Sequence, residues 1–156
     1  MRSATIVAAA LIVLGTSSLA VAKGLPAGGM TIADVVTWLQ ASGYKALVAT
    51  HKDGTQNVDS ESDGNDFRTY LYDCKNKRCG SLQFSTGIDT KGALTPQKMN
   101  EWNAQARWVR AYTDKVNDPW LEFDVDLAPG GSYEMLDDQF GIWRSELTKF
   151  HQFINR

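Results

Sequence analysis

The sequence predicts an α+β fold, an antiparallel sheet of five to six strands packed by helices in the order α-β-β-β-β-α-β-β-α. Three observations predict it. The apolar period is helical at first, switches to two from Tyr44 with turn signals every few residues, and becomes helical again after Ser132. Thr95-Pro96 sets a helix start between two groups of strands, because Thr caps and Pro at the first helical position needs no amide donor. With 156 residues, 43% hydrophobic and 22% charged, the chain suits one globular domain and leaves little room for two.

The first helix opens at Thr31-x-x-Asp34, where hydroxyl and carboxylate are both placed to accept from free first-turn amides. Ile32, Val35, Val36 and Leu39 repeat at helical spacing, and Gly43 ends it. Four strands follow, near Tyr44 to Thr50, Gln56 to Glu61, Asp66 to Cys74 and Cys79 to Thr86. The turns between them are Asp53-Gly54, Asp63-Gly64-Asn65 and Lys75 to Arg78. The middle helix should run from Thr95 to about Arg107 with Met99, Trp102 and Ala106 inward.

A second hairpin, near Trp108 to Thr113 and Trp120 to Leu127, alternates cleanly. Leu121, Phe123, Val125 and Leu127 share one face and Trp120, Glu122, Asp124 and Asp126 the other. Pro129-Gly130-Gly131 breaks the strand and Ser132 caps the last helix. Along it Leu136, Phe140, Trp143, Leu147, Phe150 and Ile154 form one apolar stripe. This stripe is expected to cover the sheet, a homodimer seam being the alternative use of it.

The first 22 residues read as a cleavable export signal: Met1-Arg2 is positive, Ala4 to Leu14 is apolar, and Ala20-Val21-Ala22 is the small-x-small pattern of a cut site. The apolar run falls short of the roughly 20 residues a spanning helix needs, so no stable membrane span is expected after the cut. Residues 23–30, rich in Gly and Pro, are expected to be a mobile entry, and 31–156 a single domain. The expected location is the periplasm or the medium. Sixteen Lys and Arg stand among 18 Asp and Glu, giving a net charge of -2, and no basic face for nucleic acid results.

Cys74 and Cys79 flank a short hairpin turn, and an exported chain meets an oxidising compartment, so they read as a structural disulfide. Register supports the pairing. If Cys74 opposes Cys79, Leu71 opposes Leu82, Thr69 opposes Phe84 and Phe67 opposes Thr86, which collects the apolar residues on one face. The other face then carries Arg68, Tyr70, Tyr72, Ser81, Gln83 and Ser85.

No Gly-rich phosphate loop, G-x-S-x-G elbow or H-E-x-x-H stands in the chain, and two Cys and two His limit metal and nucleophile chemistry. No catalytic residue, metal or cofactor is therefore expected. Asp59-x-Glu61-x-Asp63-Gly64 opens like a calcium loop, but Tyr70 stands where a Glu is required and the flanks read as strands. With Thr113 opposite Pro119, Tyr112 faces Trp120 outward, so Trp108, Tyr112 and Trp120 are candidate binding residues. A one-residue slip in that turn would instead put Trp108 and Tyr112 in the core.

The run Asp73-Cys74 to Cys79-x-Ser81-Leu82-Gln83-Phe84, then Asn100-Glu101-Trp102-Asn103, then Arg110-Ala111-Tyr112 leading to Leu121 through Leu127, resembles the YbjN-domain family of bacterial sensory transduction regulators. The resemblance covers roughly Ile32 to Ile154. It implies a fold similar to type III secretion chaperones, whose members bind segments of other proteins and often dimerise, and it implies no reaction or cofactor. Asn100, Trp102 and Asn103 join the candidate binding residues, with packing of Trp102 and backbone bonding by the amides as the simpler reading. The expected function is a non-catalytic exported module binding a protein or envelope component. The alternative is a small-ligand protein, or an enzyme with a dispersed site built from His51, His151 or the acids of the Trp120 to Asp126 strand.

Overall fold

The computed structural model describes residues 22–155, so the expected signal lies, apart from Ala22, outside the described residues. Helix α1 (Ile32–Ala41) starts on the expected capping box. The Asp34 amide donates to Thr31 Oγ1 at 3.1 Å and the Thr31 amide to Asp34 Oδ2 at 2.9 Å. Strands β1 (Ala46–Thr50), β2 (Gln56–Ser62), β3 (Asn65–Lys75) and β4 (Arg78–Gly87) form an antiparallel meander. Helix α2 (Pro96–Asn103), strands β5 (Arg110–Thr113) and β6 (Pro119–Asp126), and helix α3 (Tyr133–Ile154) complete the chain. The six strands are ordered β1-β2-β3-β4-β6-β5, every neighbouring pair antiparallel.

The first hairpin adopts the register that alternation and the Cys pair predict, and the second takes, of its two possible registers, the one with Thr113 opposite Pro119. Leu71 opposes Leu82 and Cys74 opposes Cys79 in one, and Ala111 opposes Leu121 and Tyr112 opposes Trp120 in the other. The turns are tighter than composition suggests. Asn76 and Lys77 have φ of 53° and 66°, the two left-handed residues of a type I′ turn, so the strands run on to Lys75 and Arg78. Cys74 and Cys79 form a disulfide across this hairpin.

Helix α2 stops at Asn103 rather than near Arg107, and β5 begins at Arg110 rather than Trp108. The reason is a tertiary bond. Asn103 Nδ2 donates to the Ala111 carbonyl at 2.8 Å, and the Ala111 amide donates back to Asn103 Oδ1 at 2.8 Å. This clamp turns the chain from helix to strand. The Gly/Pro entry carries main-chain bonds at both ends: the Leu25 amide donates to the Gly131 carbonyl at 2.8 Å, and Met30 exchanges two bonds with Cys79.

All three helices pack on one side of the sheet. Phe67 and Phe84 point to that side, where Trp38 of α1 and Phe140 and Trp143 of α3 close on them. Trp143 stacks on Phe84 with ring centroids 5.8 Å apart and meets Phe67 edge-on. Leu136, Phe140, Trp143, Leu147 and Phe150 are all buried, so the stripe of α3 is covered by the protein's own sheet. Among the described residues no helix is long and apolar enough to cross a membrane.

Two outcomes follow from this packing. Trp143→Ala leaves a large cavity beside Phe84 and should cost about 3 to 5 kcal/mol in chemical denaturation. A soluble monomer of unchanged stability would show that the stripe is not core. Cys74→Ser opens only a short loop, so the fold should survive with a loss of about 2 kcal/mol or less in the same measurement.

Candidate functional site

Because alternation sends every second residue away from the helices, the opposite face of the sheet is covered by no element among the described residues. One row crosses all six strands: Leu47, Asp59, Arg68, Ser85, Glu122 and Arg110 stand successively opposite one another. Asp59 lies 3.5 Å from Arg68, and Glu122 takes both the Arg110 guanidinium and the Tyr112 hydroxyl, the latter at 2.8 Å. In the next row Gln83 Nε2 donates to Asp124 Oδ1 at 2.8 Å. Asp59, Glu61, Asp66, Glu122, Asp124 and Asp126 share this face with Lys45, Arg68 and Arg110, so among the described residues its carboxylates outnumber its cations.

At the β5–β6 end the face becomes aromatic. Tyr112 and Trp120 stack with centroids 6.4 Å apart and planes 11° from parallel. Trp120 can lie flat because Gly87 stands opposite it: a Cβ there would come within 2.5 Å of the indole ring. Glycine within a strand marks such close approaches, so this position was legible in principle, but its partner on β6 was not. Tyr72 is 46% exposed and Tyr112 37%. Partial burial, then the hydrogen bond and negative charge of Glu122, push the Tyr112 phenol up to about 12. Burial foremost, with the charges of Glu122 and Asp124 contributing, also raises that of Tyr72. Beside the stack, a cleft of about 290 Å³ opens between Lys45, Leu47, Asp66 and Arg68, with Gly87 on its rim.

The other expected binding residues are elsewhere. Trp108 precedes β5 and lines a second cleft, of about 320 Å³, with Trp102, Glu146, Lys149 and Phe153. The Arg107 guanidinium lies over the Trp108 ring at 4.4 Å. Trp102 is buried edge-on against Phe150 at 5.2 Å, and its indole N–H has no partner among the described residues. Asn103 is the α2–β5 clamp, which is the structural role, and Asn100 lies exposed on α2. The candidates thus divide between two places, with Tyr112 and Trp120 together on the outer face and Trp108 with Trp102 at the α2–α3 cleft.

The residues considered for a dispersed site are likewise apart. His51 is exposed, its Nε2 2.7 Å from Asn57 Oδ1, while His151 is half-buried on α3 and burial lowers its pKa. Among the described residues no group of three or more His, Cys, Asp or Glu is placed to hold a metal ion. Asp59 bonds across the sheet to Arg68 and Asp63 sits in the β2–β3 turn against Arg144, so the calcium-like run is spread over strand and turn.

The family model YbjN, described as putative bacterial sensory transduction regulator, matches residues 31–156. The chain belongs to the YbjN family. No curated protein matches it. The YbjN region begins on Thr31, the cap of α1, and contains, among the described residues, every helix and strand, both clefts and the whole outer face.

The Tyr112–Glu122 contact gives this face a measurable signature. Glu122→Gln should move the Tyr112 titration from about 12 toward its ordinary value near 10, as read by ring-proton NMR. The sign follows from linkage. A phenol whose folded pKa is raised contributes stability fully below about pH 10 and loses it as pH rises through about 12, so the variant should lose its part of that contribution at neutral pH. An unmoved titration would remove Glu122 as a contributor and leave burial alone as the cause.

Proposed function

We propose that this YbjN domain is an exported, non-catalytic regulatory module that binds a protein or envelope component on the outer face of its sheet. The observation that carries this reading is the one-sided packing. A six-stranded sheet with helices on one side presents, on the other, the Tyr112–Trp120 stack beside an excess of carboxylates. The chemistry that fits is a cationic surface or segment with apolar side chains, basic groups meeting Asp124, Asp126 and Asp66 while an apolar group lies on the rings. The polar groups of this face are engaged with one another, Glu122 with Arg110 and Tyr112 and Asp124 with Gln83, an arrangement suited to recognition rather than to proton transfer. Export is supported by the signal-like first 22 residues and by the disulfide, which suits an oxidising compartment.

A small-ligand reading has one observation in its favour, the α2–α3 cleft with Trp108 at its mouth. One experiment separates the two. The mature protein, with a photo-crosslinking residue in place of Tyr72, is exposed to an envelope extract and the captured proteins are compared with those of the same protein carrying Trp120→Ala. Capture should fall at least about tenfold, the loss expected of one aromatic contact worth 1.4 kcal/mol or more. A capture list that Trp120→Ala leaves unchanged, or binding lost with Trp108→Ala instead, would remove the outer face as the site.

A further inference from the structure

The nitrogen of Lys23 meets a carboxylate. Its main-chain N–H donates to Glu134 Oε1 at 3.0 Å, in the first turn of α3. The contact is set by main-chain bonds on both sides: the Tyr133 amide donates to the Lys23 carbonyl at 3.0 Å, and the Leu25 amide to the Gly131 carbonyl at 2.8 Å. Gly24 is bridged to Ser132, the cap of α3. Leu25 packs so closely on Gly131 that a Cβ there would come within 2.9 Å of it. Ala22, one residue earlier, is exposed and lies in no helix or strand. The bond before Lys23 is also the one that the small-x-small pattern Ala20-Val21-Ala22 marks for cleavage.

We propose that the chain is cut between Ala22 and Lys23, and that the α-ammonium released there pairs with Glu134. This rests on the export reading above and adds to it the bond that is cut and the carboxylate that receives the new terminus. In the cut, a signal peptidase adds water across the peptide bond, the hydroxyl going to the Ala22 carbonyl carbon and a proton to the Lys23 nitrogen. A second proton from solvent makes the ammonium. A neutral amide bond to a carboxylate thereby becomes a charge-assisted one at an unchanged position.

The pairing also answers an electrostatic problem. A free ammonium beside the N-terminus of a helix opposes the helix dipole, and an acidic first-turn residue offsets it. Glu134 is that residue. The titratable group that faces this nitrogen is Glu134, whose carboxylate also feels the Lys23 side-chain ammonium; that ammonium lies over the Tyr133 ring, 5.0 Å from its centroid. The Lys23 main-chain donor is the first cause holding the Glu134 carboxyl below its ordinary value. The carboxylate side of the pair is therefore lost as pH falls through that lowered value, and the ammonium side as pH rises through the raised value of the terminus.

The test uses protein recovered from the envelope fraction of a bacterial host expressing the full chain. Intact mass and N-terminal sequencing should give a chain starting Lys23-Gly24-Leu25. The α-amino titration, read by NMR, should lie above its ordinary value of about 8 and fall back in Glu134→Gln, an exposed change that leaves the core untouched. A chain starting at Ala22 places its ammonium one residue away and should titrate normally. A cut at another bond, or a terminus whose titration Glu134→Gln does not move, would overturn the pairing while leaving export intact. An uncut chain in that fraction would overturn both.

Discussion

Phe84, at the middle of the fourth strand, is the residue on which the rest of the domain leans. Trp143 stacks on it, and Trp38, Phe67 and Phe140 reach its ring from two helices and the next strand. These rings bind α1 and α3 to the same patch of sheet, and Trp38 adds a polar tie by donating from its indole to Asp137 of α3 at 2.7 Å. Burying so much aromatic surface on one side is what makes a single helical layer sufficient. It also leaves no helical layer, among the described residues, for the other side.

The outer face answers that exposure with polar and aromatic side chains in ordered rows. Asp59 with Arg68, Arg110 with Glu122 and Gln83 with Asp124 tie neighbouring strands together, and the first of these, exposed on both sides, contributes little energy. They do fix side-chain positions. The same rows hold Tyr112 against Glu122 and lay Trp120 over Gly87, so the proposed binding surface has its side chains in place beforehand.

Pairing of β3 with β4 was readable from the sequence because alternation and the two Cys left one register that kept Leu71 opposite Leu82, whereas the second hairpin left a one-residue slip open and the β4–β6 pairing had no local signal. Helix α3 was readable for the same reason, its stripe matching the apolar face it covers. Long-range contacts hid the rest. The end of α2 is set by the bond of Asn103 to Ala111, and the course of the entry segment by bonds to Gly131 and Cys79, none of which periodicity encodes. Trp108 joins Tyr112 and Trp120 only if the strand already runs through it. The clamp at Asn103 delays the strand to Arg110, and Trp108 falls to the helix side.

The placement of β6 beside β4 has a consequence for how the chain assembles. The first four strands pair with their sequence neighbours, and β5 pairs with β6, so both groups form through short loops. Among the six strands, only the seam between Gly87 and Trp120, and onward to Ser81 and Asp126, joins segments separated by a helix and a strand. Closing that seam carries the larger loop entropy, and it brings Phe123 and Val125 against Phe84 and Leu82 in the same step. The domain is therefore kinetically two local hairpin systems with one distant junction. The Tyr112–Trp120 platform takes its final form over Gly87 only when that junction has closed, which makes the surface a late product of folding.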